Sequence, residues 1–260
     1  MNEPIHSADV CQGALGSLPE LLAEVAFERK VYLVADHNTY AAAGRRANEL
    51  LLACGFDVVC VLLGDGVVPD TGYFFTLLEQ IDRNGYLLAC GSGTINDLVR
   101  YAAFKLDKPY SIIATAPSMD GYASHVSPLT VQGVKKTYNA VTPQIIIADT
   151  NILSAAPWGM IQAGYGDLIG KITSLLDWRL SNILCDEVVE ERSFAMVKEE
   201  LTAVLKLTDD LLTRSPESIA ALMRGLIGSG VAMQLAGSSR PASGSEHHIS
   251  HFLELYGDMY

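Results

Sequence analysis

Three of the six histidines in this 260-residue chain fall within five positions, in the segment Arg240-Pro-Ala-Ser-Gly-Ser-Glu-His-His-Ile-Ser-His251. If a helix begins near Ser245, His247 and His251 stand four apart on one face and His248 points elsewhere. Two imidazoles so spaced can share a divalent cation, or one can hold the cation while the other meets a substrate. The proline, glycine and serines upstream make a tight entry, with Ser243 or Ser245 as the cap. A polar helix start with incidental histidines explains the same residues without any chemistry.

A second cluster, Ala163-Gly-Tyr-Gly-Asp-Leu-Ile-Gly-Lys171, places Asp167 between glycines, ahead of apolar residues at helical spacing (Leu168, Ile169, Ile172, Leu175, Leu176). The reading is a helix start, at which an aspartate is often simply an N-cap. Gly164, Gly166 and Gly170 add something a cap does not need, namely close approach of backbone, metal or ligand. Asp167 and His247 would make two ligands of a cation site that normally takes three. No third is evident in the sequence.

A third feature is Gly91-Ser-Gly-Thr-Ile-Asn-Asp-Leu98, which follows a strand pattern and opens a helix. Gly91 and Gly93 let main-chain N–H groups reach a pyrophosphate, and a helix N-terminus favours its charge. Asn96 stands where a third glycine would complete the usual dinucleotide fingerprint, so the loop alone also reads as a tight turn. Asp36, at another strand end, is placed either as a turn residue or to accept hydrogen bonds from a ribose, where it would repel a 2′-phosphate. Thr115-Ala-Pro-Ser-Met-Asp-Gly-Tyr-Ala-Ser124 follows a third strand and offers the Thr115 and Ser118 hydroxyls and the Asp120 carboxylate. Lys135, Lys136 and Arg240 are candidates to meet a substrate phosphate.

The elements that must position these residues follow from periodicity. Short apolar runs at 30–36, 56–63, 86–90, 110–115 and 144–149 alternate with helical patterns at 40–54, 71–82 and 94–104. This predicts an α/β nucleotide-binding domain over residues 1–152 with a mainly parallel sheet. From 153 to 260 the apolar residues recur at helical spacing (168–184, 188–212, 218–235), with turns near Ser181-Asn182 and Ser215-Pro216, predicting an all-α domain, the one that carries the candidate metal ligands Asp167 and His247. Ligands in such sheets gather at the carboxyl ends of strands.

A formal net charge of −12 disfavours nucleic acid and anionic membrane as partners. No uninterrupted apolar run reaches the roughly 18 residues of a membrane span. The N-terminus lacks the pattern of a signal peptide. The five cysteines, odd in number and mostly in apolar contexts, read as reduced buried thiols of a cytoplasmic protein.

Taken together, Gly91–Asp97, Thr115–Ser124, Gly164–Lys171 and Ser239–His247 resemble the sn-glycerol-1-phosphate dehydrogenase family, within the dehydroquinate synthase and iron-containing alcohol dehydrogenase superfamily. The resemblance runs from about Lys30 to the end. It implies a dehydroquinate synthase-like fold with the site between the two domains. It also implies reversible hydride transfer between NAD(H) or NADP(H) and dihydroxyacetone phosphate, giving sn-glycerol 1-phosphate. On this resemblance Asp36, Gly91, Ser92, Gly93, Thr94, Asp97, Thr115, Ser118 and Ser124 are cofactor contacts. Asp120, Asp167 and His251 are substrate contacts, with Asp120 and His251 also in the chemistry. Asp167 and His247 are ligands of zinc or nickel. A homodimer or larger homo-oligomer is expected. The family's third ligand, a histidine, falls beyond Tyr260, so the expectation is an incomplete chain with one ligand missing and an apolar helical face uncovered. Three alternatives stand beside this reading: a metal- and NAD-dependent cyclase of the dehydroquinate synthase kind, another polyol dehydrogenase, and an inactive nucleotide-binding fragment.

Overall fold

The computed structural model describes residues 5–82 and 84–256. Strands β1 (Ser7–Cys11), β2 (Lys30–Ala35), β3 (Asp57–Leu62), β4 (Tyr86–Gly91), β5 (Tyr110–Ala114) and β8 (Ile145–Asp149) form one sheet in the order β1-β8-β5-β4-β2-β3, with every pair parallel. Strands β4, β5 and β8 are buried along their whole length, which is why they read as unbroken apolar runs. Helices α1 (Leu18–Val25), α2 (His37–Thr39), α3 (Arg45–Ala53), α4 (Thr71–Glu79) and α5 (Gly93–Leu106) connect them, a π-helical turn (Tyr40–Gly44) joining α2 to α3. Ala43, Ala47 and Leu51 pack on one face of the sheet; Phe74, Leu77, Leu98 and Ala102 belong to the cluster on the other.

Strand β1 and the antiparallel hairpin of β6 (Val126–Val131) and β7 (Val134–Asn139) add to the sequence reading. The hairpin turns on Gln132-Gly133, both at positive φ, the left-handed pair that a two-residue connection requires. Pro128 interrupts β6, and β7 is exposed and mostly polar, so neither shows a clean strand pattern.

The second half is helical: α6 (Thr150–Ser154), α7 (Trp158–Cys185), α8 (Glu191–Lys206), α9 (Thr208–Leu212), α10 (Pro216–Ala236) and α11 (Ser245–Tyr256). Helix α7 corrects two expectations. It starts at Trp158, after Pro157, so Asp167 lies well inside it and is no N-cap. Ser181 and Asn182 lie within it too; the chain turns at Asp186, which has a left-handed backbone. Of the glycines that mimicked a helix start, Gly164 and Gly170 serve packing, and Gly166 meets nothing. A Cβ at Gly164 would run into the Pro117 carbonyl, and one at Gly170 would lie 3.3 Å from Glu246.

Helix α10 is long and apolar enough by composition to cross a membrane. Yet Leu222, Met223 and Leu226 are fully buried, as expected for a helix in a protein core. The main apolar cluster runs from the sheet through α7, α8 and α10, so the two halves share one core. The far side of α7 is different: Ile172, Leu176, Leu180, Ile183 and Leu184 are all exposed, as are Ile249, Phe252 and Leu253 on α11.

Candidate active site

Sheet order defines where a ligand belongs. The chain goes from β2 outward to β3, then crosses back over β2 to β4. The crevice between the carboxyl ends of β2 and β4 is therefore a topological switch point, the usual binding place in such sheets. Asp36 follows β2, and Gly91-Ser-Gly-Thr94 follows β4.

The start of α5 is shaped for an anion. Asp36, Asp70, Glu190 and Ser215 each cap their helix with a side chain, at α2, α4, α8 and α10. Ser92 makes no such bond at α5, a 14-residue helix. Its first-turn N–H groups are left without a side-chain acceptor, an arrangement suited to a pyrophosphate. Gly91 fits only as glycine, because a Cβ there would meet Ile95 at 2.7 Å. These residues fit a dinucleotide. Asp36 has a structural duty as well: its Oδ1 accepts the Thr39 N–H at 2.7 Å, in a capping box.

Asp97 sits on the buried side of α5. Its Oδ1 lies 3.3 Å from Arg100, and its carbonyl accepts the Ser127 hydroxyl at 2.8 Å. Burial pushes its carboxyl up to about 7, outweighing the attraction of Arg100. Arg100, itself fully buried, is the organiser of the neighbouring loop. It donates to the Gly121, Tyr122 and Val126 carbonyls and to the Tyr110 hydroxyl. Thr115 is tied to the end of β4 through its N–H, 3.0 Å from the Gly91 carbonyl. Ser118 is half-buried, and Ser124 is buried, with its Oγ accepting from the Val126 N–H at 3.1 Å.

Asp120 opens a 3-10 turn, Asp120–Ala123, pressed against α10. A Cβ at Gly230 would meet the Asp120 carbonyl at 2.8 Å. The Asp120 N–H donates to Asp167 Oδ2 at 2.8 Å, and Ser229 Oγ donates to Asp120 Oδ2 at 3.0 Å. Between the two carboxylates lies a cation whose role the motif did not disclose. Lys171 Nζ stands 2.6 Å from Asp167 Oδ1, 2.7 Å from Asp120 Oδ2 and 2.9 Å from the Ala242 carbonyl. Burial and the charge of Asp120 raise the Asp167 pKa, against the pull of Lys171. Burial opposes the charged form of Lys171, but Asp120 and Asp167 outweigh it and hold its pKa above the ordinary value. The signal that was available is the i,i+4 Asp167–Lys171 spacing on an apolar helix.

Helix α11 does begin at Ser245. Its entry is held by Ser245 N–H on Asp177 Oδ2 at 2.7 Å and by Ser174 Oγ on the Pro241 carbonyl at 3.1 Å. His247 is half-buried; His248 lines a separate crevice with Asp177, Leu184 and Arg240. His251 lies on α11, but its side chain is outside the described residues. Among the described residues no three His, Cys, Asp or Glu side chains gather as a metal-binding group. Asp167 already gives one oxygen to Lys171 and the other to a backbone N–H. The described residues thus do not assemble a complete cation site. Arg240, proposed for phosphate, is instead paired with Glu187 through two bonds of 2.6 and 2.7 Å, and Lys135 and Lys136 stand on the exposed strand β7.

Comparison with known proteins follows this geometry. Residues 9–157 match the model of the iron-containing alcohol dehydrogenases, and the chain belongs to that family. Its relatives are more particular. It is 40% identical over 249 residues to a protein of Halalkalibacterium halodurans named glycerol-1-phosphate dehydrogenase [NAD(P)+], covering 94% of this chain and 62% of that one. It is 35% identical over 243 residues to the protein of that name from Methanothrix thermoacetophila, covering 93% of this chain and 68% of that one. The chain therefore spans about three-fifths of the Halalkalibacterium protein. The fold matches glycerol dehydrogenase from Schizosaccharomyces pombe with a TM-score of 0.76 at 16% identity, over 90% of this chain and 62% of that one. An iron-containing alcohol dehydrogenase from Thermotoga maritima gives 0.72 at 12% identity, over 92% and 70%. These are dehydroquinate synthase-like folds, as the sequence motifs implied.

Proposed function

We propose that this chain carries the cofactor- and substrate-binding parts of an oxidoreductase that interconverts dihydroxyacetone phosphate and sn-glycerol 1-phosphate with NAD(H) or NADP(H). One observation carries the reading: the uncapped α5 start adjoins the loop that bears Asp120, a Cβ at Gly93 lying 3.5 Å from Met119. A dinucleotide held at the first site would present its reactive end near the buried carboxylates.

The nicotinamide supplies the hydride when bound. The first-turn N–H groups of α5, with Ser92 and Thr94, hold the pyrophosphate. Asp36 accepts from the ribose. Thr115, Ser118 and Ser124 line the approach of the nicotinamide. Asp120 and Asp167 accept hydrogen bonds from the triose hydroxyls, and His251 takes part in moving the proton. Asp167 and His247 are the residues of this chain that would contribute to a zinc or nickel set, which the described residues leave incomplete. Residues 1–152 and 153–260 serve as the nucleotide and substrate parts. All five cysteines are free thiols, but against expectation only Cys90 is buried, while Cys11, Cys54 and Cys185 are exposed. A cytoplasmic location and a homodimer or larger assembly are expected.

The test is NADH oxidation with dihydroxyacetone phosphate in the full natural protein, with zinc or nickel added. Turnover supports the reading. Tight NADH binding with no net oxidation by this ketone would sink it and favour the cyclase or another polyol substrate.

A further inference from the structure

Lys171 is a fully buried cation of the helical half, and its geometry excludes the roles lysines usually take near phosphorylated substrates. An ammonium has three N–H donors. Here all three have acceptors: Asp167 Oδ1 at 2.6 Å, Asp120 Oδ2 at 2.7 Å and the Ala242 carbonyl at 2.9 Å. The Lys171 side chain is 1% exposed, whereas those of Asp120 and Asp167 are each 17% exposed. The carboxylates show an edge to a ligand; the ammonium shows none. A lysine so enclosed neither grips a phosphate nor hands over a proton.

Its three partners come from three separate segments. Asp167 is on α7, Asp120 is in the loop after β5, and Ala242 is in the turn that delivers α11 with His247 and His251. We infer that Lys171 is a positioning residue that locks the Asp120 loop and the entry of α11 to α7, so that the substrate-facing groups of both segments are set by one ammonium. The substrate part of this inference rests on the function proposed above. Arginine is no replacement, because its planar fork cannot meet three oxygens around a point. Ser174, one turn further along α7, fastens the same turn through Pro241 without touching either carboxylate.

The experiment compares wild type, Lys171→Met, Asp120→Asn and Ser174→Ala in the full natural protein. It reads hydrogen exchange, NADH affinity, and kcat and KM for dihydroxyacetone phosphate. Lys171→Met is expected to speed exchange about tenfold or more in both 116–124 and 240–250 while β4 and β5 stay protected. KM for the ketone should rise about tenfold, with NADH affinity within about twofold of wild type. Ser174→Ala should disturb 240–250 alone. Wild-type exchange in either segment of Lys171→Met would overturn the lock, as would a parallel loss of strand protection and NADH affinity. Should Lys171→Met not fold, Asp120→Asn decides: faster exchange at 240–250, a segment bonded to Lys171 rather than to Asp120, supports the lock, and unchanged exchange there overturns it. Failure of wild type to use the ketone would defeat the proposed substrate and leave the exchange comparison intact.

Discussion

The loop at Gly91–Thr94 presents main-chain N–H groups at a helix end, whereas the cluster of Asp120, Asp167 and Lys171 presents side-chain charges buried between segments far apart in sequence. The first is local: strand, glycine turn and uncapped helix start lie within a few residues. The second exists only once α7, α10 and the loop after β5 have met. Gly91 apart, backbone donors tolerate changes of side chain, and a charge cluster does not. Substitutions in the second region should therefore cost more in activity, and those in the first should mainly retune the cofactor.

The largest expected effect is that of Asp120→Asn or Asp167→Asn. Each keeps the shape but removes charge from a buried cluster that, in the proposed function, meets the substrate. A loss of about 10²–10³ in kcat/KM is expected, by analogy with removal of one preorganised polar group, with NADH affinity held. Steady-state kinetics beside NADH fluorescence would show it. A loss of cofactor binding equal to the loss of turnover would erase the distinction between the two regions.

Next is Gly164→Ala. The Cβ collides with backbone, the Pro117 carbonyl, so no side chain can yield. We expect a loss of about 3 kcal/mol, which is roughly 10 °C in Tm for a chain of this size. Gly166→Ala is the control, since nothing lies near a Cβ there; it should be neutral or slightly stabilising. Calorimetry on the pair separates a contact glycine from a spare one.

The glycines also show how far the sequence could be read. The β4–Gly91–α5 junction was legible because its period and turn chemistry are local. The start of α7 was not. Gly164 and Gly166 look like helix punctuation until tertiary packing shows that Gly164 lets the Pro117 loop approach. Lys171 was visible as a letter in a motif but not as the bridge, because two of its three partners come from other segments. The face shared by His247 and His251 was predicted from spacing alone, and α11 starts where that spacing required. Arg100, which supports the Asp120 turn through the Gly121 and Tyr122 carbonyls, gave no local signal of that role.

A pH effect sharpens the contrast within α5 itself. Asp97 is buried, and its folded carboxyl titrates near 7, against the ordinary 3.8. Between these values the folded chain keeps a proton that the unfolded chain has released, so stability falls as pH rises through that window. The contribution is on the order of 4 kcal/mol across the whole interval. Urea unfolding at pH 5 and pH 8 should show wild type losing stability relative to Asp97→Asn. Parallel behaviour of the two proteins would place the Asp97 carboxyl in contact with solvent or ligand instead.

The smallest effect concerns Asp36, where the two kinds of construction overlap. Its carboxylate caps α2 through the Thr39 N–H and, in the proposed function, also meets the ribose. Alanine would confound the two, costing about 1 kcal/mol from the cap alone. Serine keeps an acceptor for the Thr39 N–H and removes the charge. Asp36→Ser is thus expected to leave Tm within about 2 °C of wild type, since serine caps as well as aspartate. It should shift preference toward NADPH by about tenfold, the effect of relieving one repulsion from a 2′-phosphate, or roughly 1.4 kcal/mol. The ratio of kcat/KM for NADH and NADPH measures it directly. An unchanged ratio with unchanged Tm would confine Asp36 to its cap and leave cofactor choice to the backbone of the Gly91–Thr94 loop, which cannot tell the two cofactors apart by charge.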